Sequence, residues 1–208
     1  MCNLFNQTSA KEAMRRVFSD LPWQDLTGNL GAEDIYPDRP AAVVRADGPG
    51  MALAMARWGL PSPPQFHGKS GIDRGVTNVR NLGSPHWRRW LDPAHRCLVP
   101  FDRFAEPAGG TNVWFAPRNG DPAFLAGLHV RGWTSIRKLR DGETTDDLFA
   151  FLTCPPNAEV GAVHPKAMPV ILSAPDEWAQ WMLAPWPEAR KLQRPLADGS
   201  LARLEGTG

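Results

Sequence analysis

Residues 41–58 read Ala41-Ala-Val-Val-Arg45-Ala-Asp47-Gly-Pro-Gly50-Met51-Ala-Leu-Ala-Met-Ala-Arg57-Trp58. Two apolar runs, Ala41–Arg45 and Met51–Trp58, flank the Asp47-Gly-Pro-Gly50 turn, which is the pattern of a β-hairpin. A Pro/Gly-rich loop follows from Leu60 to Gly75. Further strand-like runs lie at Arg96–Phe101, Val113–Ala116, Ala123–Val130 and Leu148–Thr153, with a shorter one at Pro169–Leu172. Helices are few. Ser9–Leu21 carries a capping box of Ser9 and Glu12, with Ala10, Met14, Val17, Phe18 and Leu21 as its apolar stripe. Ser84 as N-cap and Pro85 in the first helical position predict a short helix through Trp90. A last helix starts at Ser173 and carries Trp178, Trp181 and Met182. Strands and helices do not alternate, so βαβ units are not expected. The expectation is an α+β single domain with a curved, barrel-like mixed or antiparallel sheet flanked by a few helices. It spans residues 1–185, and 186–208 form a polar C-terminal tail that frays from Arg190 onward.

A chain of 208 residues suits one domain. Its 42% hydrophobic and 22% charged content is that of a soluble globular protein and excludes a disordered one. No apolar run approaches the roughly 20 residues of a membrane span, and no basic-plus-apolar signal segment opens the chain. A cytoplasmic, thiol-reducing setting is therefore expected. Three cysteines, without CxxC spacing, imply neither a disulfide framework nor a zinc site, and no cofactor or metal is expected. Cys97 and Cys154 sit in apolar runs and read as buried hydrophobes on strands. Cys2 stands in no such run.

Net charge is only +1, but its distribution is uneven. Residues 57–103 hold eight Lys/Arg (Arg57, Lys69, Arg74, Arg80, Arg88, Arg89, Arg96, Arg103) against three acids (Asp73, Asp92, Asp102), a local +5. The remainder has 15 basic and 19 acidic residues, giving −4. Trp58, Trp87 and Trp90 lie within the basic stretch. Cations interleaved with aromatics suit a groove that tracks a single-stranded backbone and stacks its bases. The same pattern also describes a solvated basic face whose tryptophans point into the core.

Cys2 offers specific chemistry. Methionine before a small residue is normally excised, which leaves Cys2 with a free α-amine beside its thiol. An α-amine has a pKa near about 7.7–8, so part of it is an unprotonated nucleophile at neutral pH. Such an aminothiol condenses with an aldehyde to an imine, and the thiol then closes a five-membered thiazolidine with intramolecular advantage.

The segments Met1-Cys-Asn-Leu-Phe5, Arg57-Trp-Gly-Leu60, Asn78-Val-Arg80, Arg96-Cys-Leu-Val-Pro100, Phe104-Ala-Glu106, Ala126-Gly-Leu128 and Met168-Pro-Val-Ile-Leu172 occur in this order. Together they resemble the SOS-response-associated peptidase (SRAP) family of abasic-site-processing proteins over about residues 1–185. The resemblance implies the family fold and a monomer that caps abasic sites in single-stranded DNA, nucleoid-associated in bacterial cytoplasm when DNA is damaged. It also implies self-removal of Met1, the activity behind the peptidase name, and an abasic-site lyase activity. Cys2 matches the family's crosslinking cysteine, and Asn78 the asparagine beside the amine and the sugar. Arg80 matches a phosphate-binding arginine. Glu106 matches the proton-transfer glutamate, and His164 the histidine that helps open the sugar ring. Lys166 stands where the family has an arginine and keeps phosphate binding as a point charge. Arg57, Trp58, Trp87 and Arg88 complete the expected DNA-binding set.

The chain departs from the family in three places. Asn3 and Leu4 replace glycine and arginine, Pro61-Ser-Pro-Pro64 replaces an aromatic Pro-x-Trp element, and His164-Pro-Lys-Ala-Met-Pro169 is one residue longer. Besides cleavage of other protein substrates, which the family's name suggests, two further functions remain open on the sequence. One is an N-terminal-nucleophile amidohydrolase that uses the same exposed cysteine. The other is a non-catalytic single-strand-binding module.

Overall fold

The computed structural model describes residues 2–7, 15, 18–28, 30 and 33–204. The strands in chain order begin with β1 (Leu4–Gln7), β2 (Trp23–Asp25), β3 (Glu33–Ile35), β4 (Pro40–Asp47), β5 (Gly50–Trp58), β6 (Asn78–Val79) and β7 (Arg96–Pro100). They continue with β8 (Arg103–Ala108), β9 (Thr111–Pro117), β10 (Phe124–Lys138), β11 (Gly142–Cys154), β12 (Met168–Pro169), β13 (Ile171–Leu172) and β14 (Leu201–Leu204). The described helices are α1 (Ala158–Gly161), α2 (Pro175–Leu183) and α3 (Trp186–Ala189).

The hairpin of residues 41–58 is the β4–β5 pair, with Val43 opposite Ala54 and Asp47 opposite Gly50. Ala41 to Val44 are all buried. A strand with no polar face needs cover on both sides, and closure of the sheet supplies it. Strands β11, β10, β7, β4 and β5 pair in that order, antiparallel throughout, and β5 then meets β11 in parallel at Arg57↔Leu148 and Trp58↔Phe149. The result is a closed, mixed, five-stranded barrel, as the patterning predicts. Long β10 and β11 bend through register shifts between Val130 and Trp133 and between Ile136 and Lys138, the device that lets a sheet curl. At Gly127 the walls approach so closely that a Cβ would lie 2.7 Å from Cys97 Sγ.

A second, wholly antiparallel sheet runs β14-β9-β8-β1-β3. Strand β1 fastens it to the barrel. Phe5 packs edge-on against Trp58 with ring centroids 5.1 Å apart. Gln7 donates from Nε2 to the carbonyls of Ala42 (2.7 Å) and Pro100 (2.9 Å), while its Oε1 accepts from Ala42 N at 2.9 Å. A buried amide satisfied on two barrel strands sets the register of β1, and with it the position of Cys2.

Several expectations are corrected. The segment 84–90 is not an α-helix. Trp87 N donates to Ser84 O and Trp90 N to Trp87 O, an i→i+3 pattern that ends in a 3-10 turn at Arg88–Trp90. Burial of both Trp87 and Trp90 favours this tighter spacing. The run 169–172 splits into β12 and β13 around Val170, whose N–H and C=O bond to Leu152 and Ala126. The last helix begins at Pro175, after Ser173 N donates to Glu177 Oε2 at 2.9 Å. The chain from Arg190 to Leu204 is not frayed. Leu192, Leu196 and Leu201 are buried, β14 pairs with β9, and Arg118 donates to the carbonyls of Gly199 and Leu201. Most of the helix expected over 9–21 lies outside the described residues.

Candidate active site

Cys2 lies two residues before the start of β1 at Leu4, and β1 lies beside β8 with Leu4 opposite Ala105. That pairing brings Cys2 next to Glu106. Although no apolar run surrounds it in sequence, Cys2 is 0% exposed, with Sγ donating to Leu4 O at 3.4 Å. Burial pushes the thiol pKa well above its usual range, and the charge of Glu106 adds to the effect. A thiol held this way stays protonated, unlike the thiolate of a cysteine hydrolase.

Glu106 is 0% exposed on β8. Burial raises its pKa above the ordinary carboxylate value, and nearby positive charge, His164 included, works against that rise. His164 follows α1, its N–H donating to Val160 O at 2.7 Å. Its Nδ1 lies 2.9 Å from the Ala167 carbonyl and 3.5 Å from Glu106 Oε2. A carbonyl only accepts, so Nδ1 carries the proton, and Nε2 is the nitrogen able to take another up.

Asn78 arrives on β6, held parallel to β11 opposite Phe151. Its Nδ2 donates to Cys2 O at 3.1 Å and to Thr77 Oγ1 at 2.9 Å. Cys2, Asn78, Glu106 and His164, widely separated in the chain, thus form one cluster of an amide, a carboxyl, an imidazole and a thiol. Such a set can shuttle protons around a nucleophile.

The expected DNA-binding residues divide. Arg80 and Lys166 come together: Arg80 is exposed and its Nη1 donates to the Lys166 carbonyl, while Lys166 is itself exposed. Arg57 is committed elsewhere, with Nε 2.7 Å from Asp38 and Nη1 3.1 Å from Asp146. Trp58 is 1% exposed and donates from Nε1 to Thr77 O at 2.9 Å, so its ring supports the cluster from below and offers no face to a base. Trp87 is likewise buried, packed against His86 and Trp90, and Arg88 is exposed on the same turn. Arg96, counted in the basic stretch, lies in the core. It donates to the carbonyls of Leu91 and Trp181, and burial lowers its pKa to about 10.

Sequence reasoning missed three residues. Thr77 grips Asn78. Gln193 bonds from Nε2 to the carbonyls of Arg80 (2.7 Å) and Thr153 (3.0 Å). Phe66 is 72% exposed on the loop leading to Thr77. Thr77 is the chain neighbour of Asn78, which was its only local signal. Gln193 acts through contacts 113 and 40 positions away that leave no local pattern. Phe66 was visible as an aromatic in a Pro/Gly-rich loop.

Fold and site together define an α+β barrel protein whose candidate nucleophile is the residue after the initiator methionine. The chain belongs to the SRAP family: the sequence model described as SOS response associated peptidase (SRAP) matches residues 1–205. Its fold is similar to that of a protein from Bordetella bronchiseptica (TM-score 0.69, 24% identity, covering 99% of this chain and 100% of that one). It is also similar to a protein from Bacteroides thetaiotaomicron (TM-score 0.71, 17% identity, 97% and 90% covered). A phage-related protein from B. bronchiseptica is similar too (TM-score 0.67, 22% identity, 99% and 95% covered). A search of curated proteins finds no match. Among the described residues, no helix is long and apolar enough to cross a membrane, and no group of three or more His, Cys, Asp or Glu could hold a metal.

Proposed function

We propose that this chain, once Met1 is removed, crosslinks to abasic sites in single-stranded DNA through a thiazolidine on Cys2. The family's name ties it to the SOS response, and so supports a role connected with DNA damage. The observation that carries the finer reading is the meeting of Glu106 and His164, 3.5 Å apart, beside a fully buried Cys2.

The abasic sugar is mostly a closed hemiacetal, and His164 exchanges the proton that opens it to the aldehyde. Glu106 accepts a proton from the Cys2 ammonium. The amine nitrogen bonds to C1′, the carbonyl π pair passes to oxygen, and a proton follows to give a hemiaminal. Loss of water leaves the imine. The thiol then adds sulfur to the same carbon, and its proton passes to nitrogen. The raised thiol pKa fits this order, with the amine reacting first and the sulfur closing the ring. Arg80 and Lys166 supply phosphate contacts, and Phe66 offers the exposed aromatic face that Trp58 and Trp87 do not. Before crosslinking, the same carboxyl and imidazole, with Cys2, serve self-removal of Met1, in which water cleaves the Met1–Cys2 amide and its nitrogen leaves as the Cys2 amine. The imine stage of the later reaction permits strand cleavage by elimination.

The test uses a uracil-containing single strand, treated with a uracil glycosylase and run on a denaturing gel. Mature protein is expected to give a slow-migrating adduct that requires the abasic site and is lost in Cys2→Ala. Salt-labile binding without an adduct, unchanged in Cys2→Ala, would leave only a single-strand-binding module.

A further inference from the structure

The two ends of an asparagine amide are alike in shape and opposite in chemistry, since the nitrogen only donates and the oxygen only accepts. In Asn78 the donor end is committed, 2.9 Å from Thr77 Oγ1 and 3.1 Å from Cys2 O. These bonds turn Oδ1 the other way, and that oxygen is buried with no hydrogen-bond partner among the described residues. Leaving a buried acceptor unpaired forfeits its hydration without a replacement bond, so the orientation is held against a penalty. Thr77 is held in turn. Its carbonyl accepts from Trp58 Nε1, and Trp58 is wedged between Phe5 and Phe151 with ring centroids 5.1 and 5.0 Å away.

Resting on the thiazolidine reading above, we propose that Thr77 is a positioning residue whose hydroxyl, with the Cys2 carbonyl, orients the Asn78 amide so that Oδ1 faces the reacting groups. There Oδ1 accepts a hydrogen bond from the Cys2 amine as nitrogen bonds to the aldehyde carbon, and then from the hydroxyl of the hemiaminal. An acceptor fixed on the N–H aims the nitrogen lone pair at the carbon. Without the threonine hydroxyl only the Cys2 carbonyl still holds the N–H end, and the amide spends part of its time turned over, with its N–H groups confronting the amine with donors.

The test is single-turnover crosslinking with abasic single strands across a range of DNA concentrations. Thr77→Val keeps the shape without the hydroxyl. It is expected to lower the rate at saturating DNA about tenfold, leaving the half-saturating concentration unchanged. Thr77→Ser restores the rate, and Thr77→Val adds nothing to Asn78→Ala. A Thr77→Val variant with the wild-type saturating rate, or with a change confined to half-saturation, overturns the role of Thr77 alone. Absence of any crosslink in the mature wild-type chain overturns the thiazolidine reading as well. Should Thr77→Val fail to fold, the Asn78 side-chain amide is read by NMR in the wild type. Both protons are expected to be shifted and slow to exchange, and one rapidly exchanging proton overturns the proposal.

Discussion

Replacing Glu106 with glutamine keeps the shape of the side chain and removes its charge, which separates what this group does for stability from what it does for chemistry. Glu106 is 0% exposed, and His164 Nδ1 lies 3.5 Å from its Oε2. Burying a carboxylate costs several kcal/mol before its partners compensate, whereas burying an amide costs roughly 1–3 kcal/mol. Glu106→Gln is therefore expected to melt at the wild-type temperature or a few degrees above it at neutral pH, because 1 kcal/mol moves a domain of this size by about 2–4 °C. Burial holds the folded pKa of Glu106 above its ordinary value. The folded chain thus keeps a proton that the unfolded chain releases near pH 4.3, roughly. Its contribution is stabilising below that point and is lost as pH rises through the folded pKa. The melting advantage of Glu106→Gln consequently grows as pH rises across that window. Proton transfer of this kind contributes about 10²–10⁴-fold in rate, so crosslinking is expected to fall at least about 10²-fold. Thermal melts from about pH 4 to about pH 8, paired with denaturing-gel time courses, check both halves. A variant that crosslinks at the wild-type rate would refute the proton-transfer role. A melting deficit that is the same at every pH would refute the charge-burial argument.

Three further outcomes follow from the same geometry. His129 is 2% exposed, and its pKa is lowered to about 3 by burial first and then by the charges of Arg45, His95 and Arg131. The unfolded chain gains this proton below pH 6.5, roughly, so stability falls as pH drops towards 3, by up to about 4–5 kcal/mol; His129→Leu should flatten the acid arm of the melting curve, and an unchanged arm would sink the assignment. Leu201 is 0% exposed in β14, so Leu201→Ala is expected to cost about 2–5 kcal/mol in urea unfolding, whereas a change under about 0.5 kcal/mol would mean that the C-terminal strand contributes nothing. Phe66→Ala should weaken single-strand binding by about 1–3 kcal/mol at unchanged melting temperature, and unaltered affinity would show that the loop does not stack on DNA.

Some of this molecule was legible without coordinates because its signals are local. The 41–58 hairpin rests on apolar runs either side of a Gly-Pro-Gly turn, and the structure pairs it in full. The α+β class and barrel-like sheet followed from many short strands with few helices between them. The chemistry available to Cys2 depends only on its place after methionine. The C-terminal segment was misread because its buried leucines are spaced singly among polar residues, and only pairing with β9 shows that they face inward.

The strand content, the family motifs and the candidate nucleophile were therefore determined by the sequence itself, through patterns a few residues long. Tertiary structure alone decided which of the cations and aromatics could serve a site. Barrel closure drew Arg57 between Asp38 and Asp146, put Trp58 beneath Thr77, and brought Asn78 against Cys2 across 76 positions of chain. The physical reason is that hydrophobic periodicity is a property of neighbours in sequence, whereas a hydrogen bond or ion pair depends on distances set only when the whole sheet has closed.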